Sequence, residues 1–540
     1  MNSRPNATWL GRTAVVALTM VLSAVAVILA TGLLTSQPSG VADNGDGARL
    51  FCGQALLPVV PKGDAAWAGG VVSEFLVDSK ACPDPIPSSA GFMLGAAMHT
   101  PSGQVWNLTQ LAWLYVGAVA LVTGLAAWAV TARSRWRVLW LLPGLLPLAQ
   151  PDFARFFLST YGEPAGLLGT FAMVSGTAVI LATQRSDRAA RIVGLVLVAG
   201  GGLFTAAAKI AYFPVLAMAF VVCVATAVQL REAGPSWTKR LIGPLLAGSL
   251  IVGAAAVIPA GLQWQERNYP GANVHNLIFT TVLPEVPGAA QELGLPAAAA
   301  MYAGSPIQTA AADVPGRRQI EADPATYRTR ALAAMQEHPA AALRSVTMGL
   351  QATLGRDLPY LTSEPYAPGA EFLRAPRDAE SRLLRSGEQS ATSPALHHWL
   401  DQMPAPWLPS AVLIVGLLAG AAGLWWRRTL IGRVAIGAGV AAATSLGLVV
   451  AALADGYFEL AKHVWLASYL LDVTAWTLVA ATVLIPYTLV RRRLDRRARH
   501  STITLTDAAR EAASAGFTTV VVLDEQALDQ IHAEGRPTRR

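Results

Sequence analysis

About ten apolar stretches, most of them near the length needed to cross a bilayer, divide this 540-residue chain. A transmembrane helix takes roughly 20 apolar residues, because its backbone polar groups must be satisfied inside the segment. The stretches lie at 14–34, 108–131, 138–149, 164–183, 192–207, 211–230, 241–262, 407–426, 434–454 and 465–490. Only 14% of the residues are charged, against roughly a quarter in soluble domains, which excludes an ordinary soluble enzyme. The predicted fold class is therefore an all-α polytopic membrane protein with about ten transmembrane helices.

The arginines fix a sidedness for this threading, since short cytoplasmic loops are enriched in positive charge. Arg133, Arg135 and Arg137 follow the second stretch; Arg185, Arg188 and Arg191 follow the fourth. Arg231, Lys239 and Arg240 follow the sixth, Arg427, Arg428 and Arg433 the eighth, and Arg491, Arg492 and Arg493 the last. The short loops assigned to the other side hold few cations: Arg155, Lys209 and Lys462. Both termini are thus expected in the cytoplasm of a bacterial plasma membrane. The net charge of +7 is accounted for by these loop positions and calls for no nucleic-acid partner. Two stretches are short: 138–149 carries Pro143 and Pro147, and 192–207 carries a Gly200-Gly201-Gly202 break. Such segments need shielding by protein or a cavity to line.

The expected organisation is a signal-anchor first helix (1–35), an external loop (36–107), helices two to seven (108–262), an external domain between helices seven and eight (263–406), helices eight to ten (407–490) and a cytoplasmic basic tail (491–540). The tail has one strand-like run, Phe517 to Leu523. In the external domain, an amphipathic helix pair is predicted around Pro324 to Glu337 and Pro339 to Leu354, with Leu343, Val346, Leu350 and Leu354 at helical spacing. His338-Pro339 separates the two. Cys52 and Cys82 share the first external loop, where an oxidising environment favours a disulfide over two free thiols. Cys223, inside the sixth stretch, reads as core filling.

The chain carries no P-loop, dinucleotide-binding glycine fingerprint, zinc-ligand set or serine-hydrolase elbow. Polar residues instead gather at helix ends on the external side, in four clusters. The first is Asp43-Asn44-Gly45-Asp46-Gly47-Ala48-Arg49, which suits a general base, a divalent ion site or a plain Asx-Gly turn. Next comes Gln150 to Pro164, dense for a short connection, with Asp152, Arg155, Tyr161 and Glu163; Glu163 before Pro164 is also a favourable helix start. The third is Lys209, placed to snorkel to water or to meet a lipid phosphate. In the fourth, Asp455, Glu459, Lys462 and His463 stand at i, i+4, i+7 and i+8, a spacing that would put all four on one helical face, with a solvated face or an ion pair as the plain alternative. Asp472 is an intramembrane carboxylate, a functional candidate by default.

The order of these segments resembles bacterial GT-C superfamily membrane glycosyltransferases, in particular hexose transferases of surface-glycan synthesis. The resemblance rests on Asp43 to Arg49 after the first span, Tyr161-Gly162-Glu163-Pro164, and Thr205 to Pro214 around Lys209. It continues through His275-Asn276-Leu277-Ile278-Phe279 with Leu293-Gly294-Leu295-Pro296, and Asp455-Gly456 through Lys462-His463. It is colinear over nearly the whole chain before residue 501; in the lysine turn, Ile210 stands where a proline is expected. The resemblance implies a GT-C-like fold, a polyprenyl-phosphate sugar donor and inversion at the anomeric carbon. An envelope glycan, lipid or protein is the implied acceptor. It implies Asp43 or Asp46 as the base, Lys209, Lys462, His463 and Arg49 at the donor phosphate, and Glu163, Tyr161, Asp152, Arg155, Asp455, Glu459 and His275 around the sugar or acceptor. A divalent metal ion is left open. A lipid-linked-glycan flippase or transporter and a noncatalytic envelope protein are the alternative readings.

Overall fold

The computed structural model describes residues 6–35, 38, 40–41, 46–59, 74–226, 228, 241–269, 271–307, 313–355 and 407–486. Asp43, the loop 229–240, the run 517–523 and the arginines beyond residue 490 lie outside the described residues. The helices of eight or more residues are α1 (Asn6–Thr31), α2 (Ser89–Ala97), α3 (Thr109–Val130), α4 (Glu163–Ala182), α5 (Arg188–Ala208), α6 (Phe213–Ala225), α7 (Ile242–Asn268), α8 (Pro324–Glu337), α9 (Pro339–Ala352), α10 (Leu408–Trp425), α11 (Leu430–Ala452) and α12 (Trp465–Pro486). Among the described residues, eight of these are long and apolar enough to cross a membrane: α1, α3, α4, α5, α7, α10, α11 and α12. The protein is a polytopic all-α membrane protein. Leu18, Leu29, Leu245, Val252 and Leu418 stand exposed on these helices, as side chains that meet lipid tails do.

Two of the ten apolar stretches are built differently from a plain span: 138–149, and 211–230, which over its described residues is a 3₁₀ turn, Ile210–Tyr212, leading into the 13-residue α6. Residues 138–149 form a 3₁₀ segment, Arg135–Leu141, followed by the short helix Leu142–Leu148, with further short pieces at Pro151–Ala154 and Arg155–Leu158. Prolines 143, 147 and 151 lack the N–H that a continuous helix needs. The last two pieces are shielded, with Phe153, Phe156, Phe157 and Leu158 fully buried, whereas Leu139, Leu142 and Leu146 of the first two stay exposed. The Gly200-Gly201-Gly202 triplet, by contrast, is no break, because α5 runs unbroken through it for 21 residues. Its glycines serve packing instead. A Cβ on Gly201 would lie 2.4 Å from the Gly169 carbonyl oxygen of α4, and one on Gly202 would lie 2.4 Å from Ala219 of α6. Gly176 and Gly194 repeat this close α4–α5 approach about two turns further along the same face.

Between α1 and α3, a three-stranded antiparallel sheet, β1 (Leu56–Pro58), β2 (Glu74–Val77) and β3 (Val105–Asn107), is ordered β1-β2-β3. Phe51, Phe75 of β2 and Trp106 of β3 pack in series with their rings tilted against one another. A disulfide joins Cys52 to Cys82, and Cys223 is buried in α6. A second small core spans residues 274–341 around Phe279, Leu293, Ile320 and Ala331. The helix pair is present as α8 and α9, divided at His338. The buried face of α9 is nevertheless Ala341, Ser345, Gly349 and Leu350, while Leu343 is 67% exposed. Small residues win that face because α9 lies close on α11: a Cβ on Gly349 would sit 2.6 Å from Val449. The unit made by residues 481–540 is described only over 481–486, where α12 ends.

Gly201→Val should lower the thermal midpoint of the detergent-purified protein, at a cost of ~1–3 kcal/mol for overpacking. Gly200→Ala, whose Cβ meets nothing within 4 Å, should leave it unchanged or slightly raised. Equal effects of the two would contradict the close-packed α4–α5 seam.

Candidate functional site

Four connections end on the same end of the helix bundle, and each brings one of the polar clusters. After α1, the chain is tied down where the Val41 N–H meets the Leu158 carbonyl at 3.3 Å. It then turns at Asp46 and Gly47 into the helical turn Ala48–Phe51, whose position is fixed by the Cys52–Cys82 disulfide. Asp84 secures the same loop to α7, its carbonyl accepting from Trp264 at 2.7 Å and its carboxylate from Arg267 at 3.1 Å. This is how a loop far from the C-terminal helices holds Asp46 in place.

The fourth cluster does not share one helical face. The chain makes a 3₁₀ turn at Leu453–Asp455, reverses at Gly456 (φ 74°) and again at Glu459 (φ 48°), and only then forms the single helical turn Leu460–His463. Positive φ at two positions breaks the register that the i, i+4, i+7, i+8 spacing assumed. Gly456 is required twice over, since a Cβ there would lie 2.4 Å from both the Asn276 carbonyl oxygen and Thr280 Oγ1. The reversal delivers Lys462 inward: its side chain is 1% exposed.

Lys462 Nζ donates to Asp46 Oδ2 and, at 3.0 Å, to Glu459 Oε2, and lies 4.9 Å from the centre of the Tyr161 ring. The other oxygen of Asp46 accepts from Arg49, whose guanidinium stacks over Tyr269 at 4.7 Å. Beside them Lys209 Nζ donates to Glu163 Oε1 at 3.1 Å. The close pass of Gly162 against the Ala208 carbonyl brings this pair together. Glu163 opens α4 directly after Gly162, and its carboxylate is turned to the lysine. The fields of the two groups overlap, Lys209 acting on Asp46 and Glu163 on Lys462. Arg49, Lys209 and Lys462 thus face Asp46, Glu163 and Glu459, three cations against three carboxylates.

Burial alone would push the Asp46 carboxyl up, but the Lys462 and Arg49 cations outweigh it and hold the group well below the usual carboxylate range. Burial would likewise discharge Lys462, yet Asp46 and Glu459 hold its ammonium above the ordinary range. His463 is driven the other way. Its burial, with the Lys209 and Lys462 charges nearby, holds it well below 6.5, so the ring is neutral. Its Nδ1 lies 3.9 Å from Asp455 Oδ2. Asp46 is charged and strongly held, which makes it a poor proton acceptor; the cations are charged, Lys462 nearly dry and Lys209 and Arg49 partly exposed, which suits a phosphate entering from the open side.

The remaining candidates sit around this cluster at different depths. Asp152 and Arg155 are buried below it, with the Asp152 carbonyl accepting from Trp465 Nε1 at 3.2 Å and Arg155 against Phe156. Tyr161 forms the wall beneath Lys462. His275 is not brought to the charged group: it lies in the second core, stacked 4.3 Å on Phe279, with Nε2 3.3 Å from the Ser305 carbonyl oxygen. Its neighbour Asn276 and Thr280 instead hold the Gly456-Tyr457 turn, Tyr457 N–H donating to Thr280 Oγ1 at 2.8 Å. Sequence reading missed Tyr269, Tyr457 and Glu285. The Tyr457 hydroxyl, which burial and Glu285 push up to about 12, joins Glu285 at 3.1 Å and Ser345 at 2.9 Å. No local pattern marks these residues, because each acts across more than a hundred positions of sequence. Among the described residues no three His, Cys, Asp or Glu side chains converge as a ligand set.

A groove of about 550 Å³ runs along α2, between Gln54, Pro85, Ser88 and Phe92. Ser88 Oγ donates to the Ala208 carbonyl at 3.0 Å, next to Lys209, so the groove adjoins the charged cluster.

The family model described as the YfdI N-terminal transmembrane domain matches residues 6–309. The chain belongs to this family. No curated protein and no solved structure matches it. The YfdI-type domain carries Asp46, Arg49, Glu163 and Lys209, whereas Glu459, Lys462 and His463 come from beyond it. The charged cluster is therefore closed by helices outside the matched region.

Removing the ammonium in Lys462→Met should cost ~3–5 kcal/mol by stranding Asp46 and Glu459, and adding Asp46→Asn should recover part of that loss. Additive effects in thermal unfolding of the two single and the double variants would contradict the pairing. A histidine held below 6.5 when folded takes up a proton on unfolding, so stability should fall as pH drops below about 6.5. His463→Gln should flatten that fall between pH 6.5 and 5; an unchanged slope would contradict the buried neutral ring.

Proposed function

We propose that this protein is a GT-C-type glycosyltransferase that transfers a sugar from a polyprenyl-phosphate donor to an acceptor of the cell envelope on the external face, with inversion. The observation that carries the reading is the convergence of Asp46 and Arg49, Tyr161 and Glu163, Lys209, and Glu459 and Lys462 into one charge-balanced group at one end of the helix bundle. These residues belong to four segments scattered over more than 400 positions, and a hairpin or a helix cap needs none of the others. The disulfide in the same loop favours an external position for this end, as does the placing of the short arginine loops at the other.

The reaction has the acceptor hydroxyl attack the anomeric carbon while the bond to the polyprenyl phosphate oxygen breaks. The leaving phosphate gains negative charge, which Lys462, Lys209 and Arg49 stabilise by charge-assisted hydrogen bonds in a site of low dielectric. In the resting state Asp46, Glu163 and Glu459 hold these cations in position, and the donor phosphate takes over part of that counter-charge. The hydroxyl proton goes to a carboxylate. Asp46, bound by two cations, is unsuited to accept it, so the role falls to Asp43, three residues earlier in the same segment. Tyr161, against Lys462, and Asp455, against His463, would border the sugar ring.

Membranes holding the wild type should transfer label from one of a panel of radiolabelled polyprenyl-phosphate hexoses and pentoses. Asp43→Asn should lower that rate by ~10²–10⁴-fold, the usual worth of a positioned base. Full activity in Asp43→Asn would refute the base assignment. Absence of product from every donor, with the protein inserted, would favour the flippase or noncatalytic readings.

A further inference from the structure

At the end of the helix bundle opposite Lys462, three loops bring arginines to the C-terminal end of α4. Arg191 of α5 donates through Nη1 to the Ile180 carbonyl at 3.0 Å, and Arg433 of α11 donates through Nη1 to the Leu181 carbonyl at 2.9 Å. Arg433 lies near enough to Arg137 and to Arg191 for the charges to repel. Among the described residues, one carboxylate faces them. Asp187 is engaged by Arg133 Nε at 2.6 Å and by the Gln184 N–H at 2.9 Å, and reaches Arg137 only at 3.9 Å. Two guanidinium nitrogens, Arg137 Nη1 and Arg433 Nε, are buried with no hydrogen-bond partner among the described residues.

Capping of α4 explains part of this arrangement, because cations favour a helix C-terminus. It accounts for Arg191 and for one nitrogen of Arg433. It accounts neither for Arg137, which donates to no α4 carbonyl among the described residues, nor for the two buried donors, each of which costs about 1–3 kcal/mol if left unmade. An anion between Arg137 and Arg433 would satisfy both donors and relieve their repulsion. Two tryptophans flank the place: Trp136, 68% exposed, precedes Arg137, and Trp426, 59% exposed, touches Gly432 beside Arg433. Exposed indoles of this kind sit at the headgroup level of a bilayer.

We propose that this nook binds the phosphate of an anionic lipid headgroup, with Arg137 and Arg433 donating to its oxygens and the two tryptophans at its membrane edge. The site is separate from the Lys462 cluster, since the 20 residues of α4 set the two ends about 30 Å apart. Its occupant does not depend on the glycosyl-transfer reading.

Native mass spectrometry of the full-length protein in detergent tests this with phosphatidylglycerol, phosphatidylcholine and inorganic phosphate as probes. The wild type should retain phosphatidylglycerol over phosphatidylcholine, and Arg137→Gln should weaken that preference about fivefold, the typical worth of one arginine at an anionic surface. The buried Nη1 of Arg137 has no hydrogen bond to lose among the described residues, so this variant should fold; Arg433→Gln, which also gives up a cap, is the second variant. Millimolar inorganic phosphate should not displace the lipid. Equal retention of the two lipids, an unchanged preference in Arg137→Gln, or displacement by inorganic phosphate would each overturn the assignment.

Discussion

A single ammonium, that of Lys462, ties the first loop of the chain to the last. Taking a lysine almost fully out of water is costly unless opposite charges follow it in. Here they arrive from two directions, Asp46 from the loop after α1 and Glu459 from the same turn as the lysine. The aromatic wall of Tyr161 closes the third side. Each partner is held by the next: Asp46 by Arg49, Arg49 by Tyr269, and the loop as a whole by the disulfide and by Asp84 against α7.

The helix bundle around this point is two-ended in charge. At one end lie the paired cations and carboxylates; at the other, among the described residues, arginines outnumber the one carboxylate beside them and lean on helix carbonyls. Glycine seams make this possible. Where α4 and α5 touch backbone to backbone, no side chain separates Glu163 at the start of one from Lys209 just past the end of the other. The second core, around residues 274–341, is attached through the Gly456-Tyr457 turn, so its position and that of Lys462 are set by the same reversal of the chain.

Much of the fold was legible in the sequence because lipid leaves few options: apolar runs of bilayer length must be helices, and α1, α3, α4, α7, α10, α11 and α12 lie where those runs are. The short, proline-broken third segment was legible for the same reason. What failed was reading glycine as a breaker in α5, since sequence alone does not tell a glycine that ends a helix from one that lets another helix approach. The inward face of α9 failed similarly, with Ser345 and Gly349 taking the place expected of Leu343. In the site, the residue types were legible but their geometry was not. The spacing from Asp455 to His463 suggested one helical face, and only the positive φ at Gly456 and Glu459 shows why Lys462 turns inward. Tyr457, Glu285 and Tyr269 left no local signal, being defined by partners far away in the chain.

If the Lys462 and Lys209 pairs are the resting form of a phosphate site, a bound donor must disturb them. The most direct test is an electron cryomicroscopy structure of the protein in lipid nanodiscs with a bound polyprenyl-phosphate sugar. The donor phosphate is expected within hydrogen-bond reach of Lys462 and Lys209, with Asp46 or Glu163 drawn away from its lysine. A donor headgroup bound elsewhere, with the Asp46–Lys462 and Glu163–Lys209 contacts intact, would contradict it.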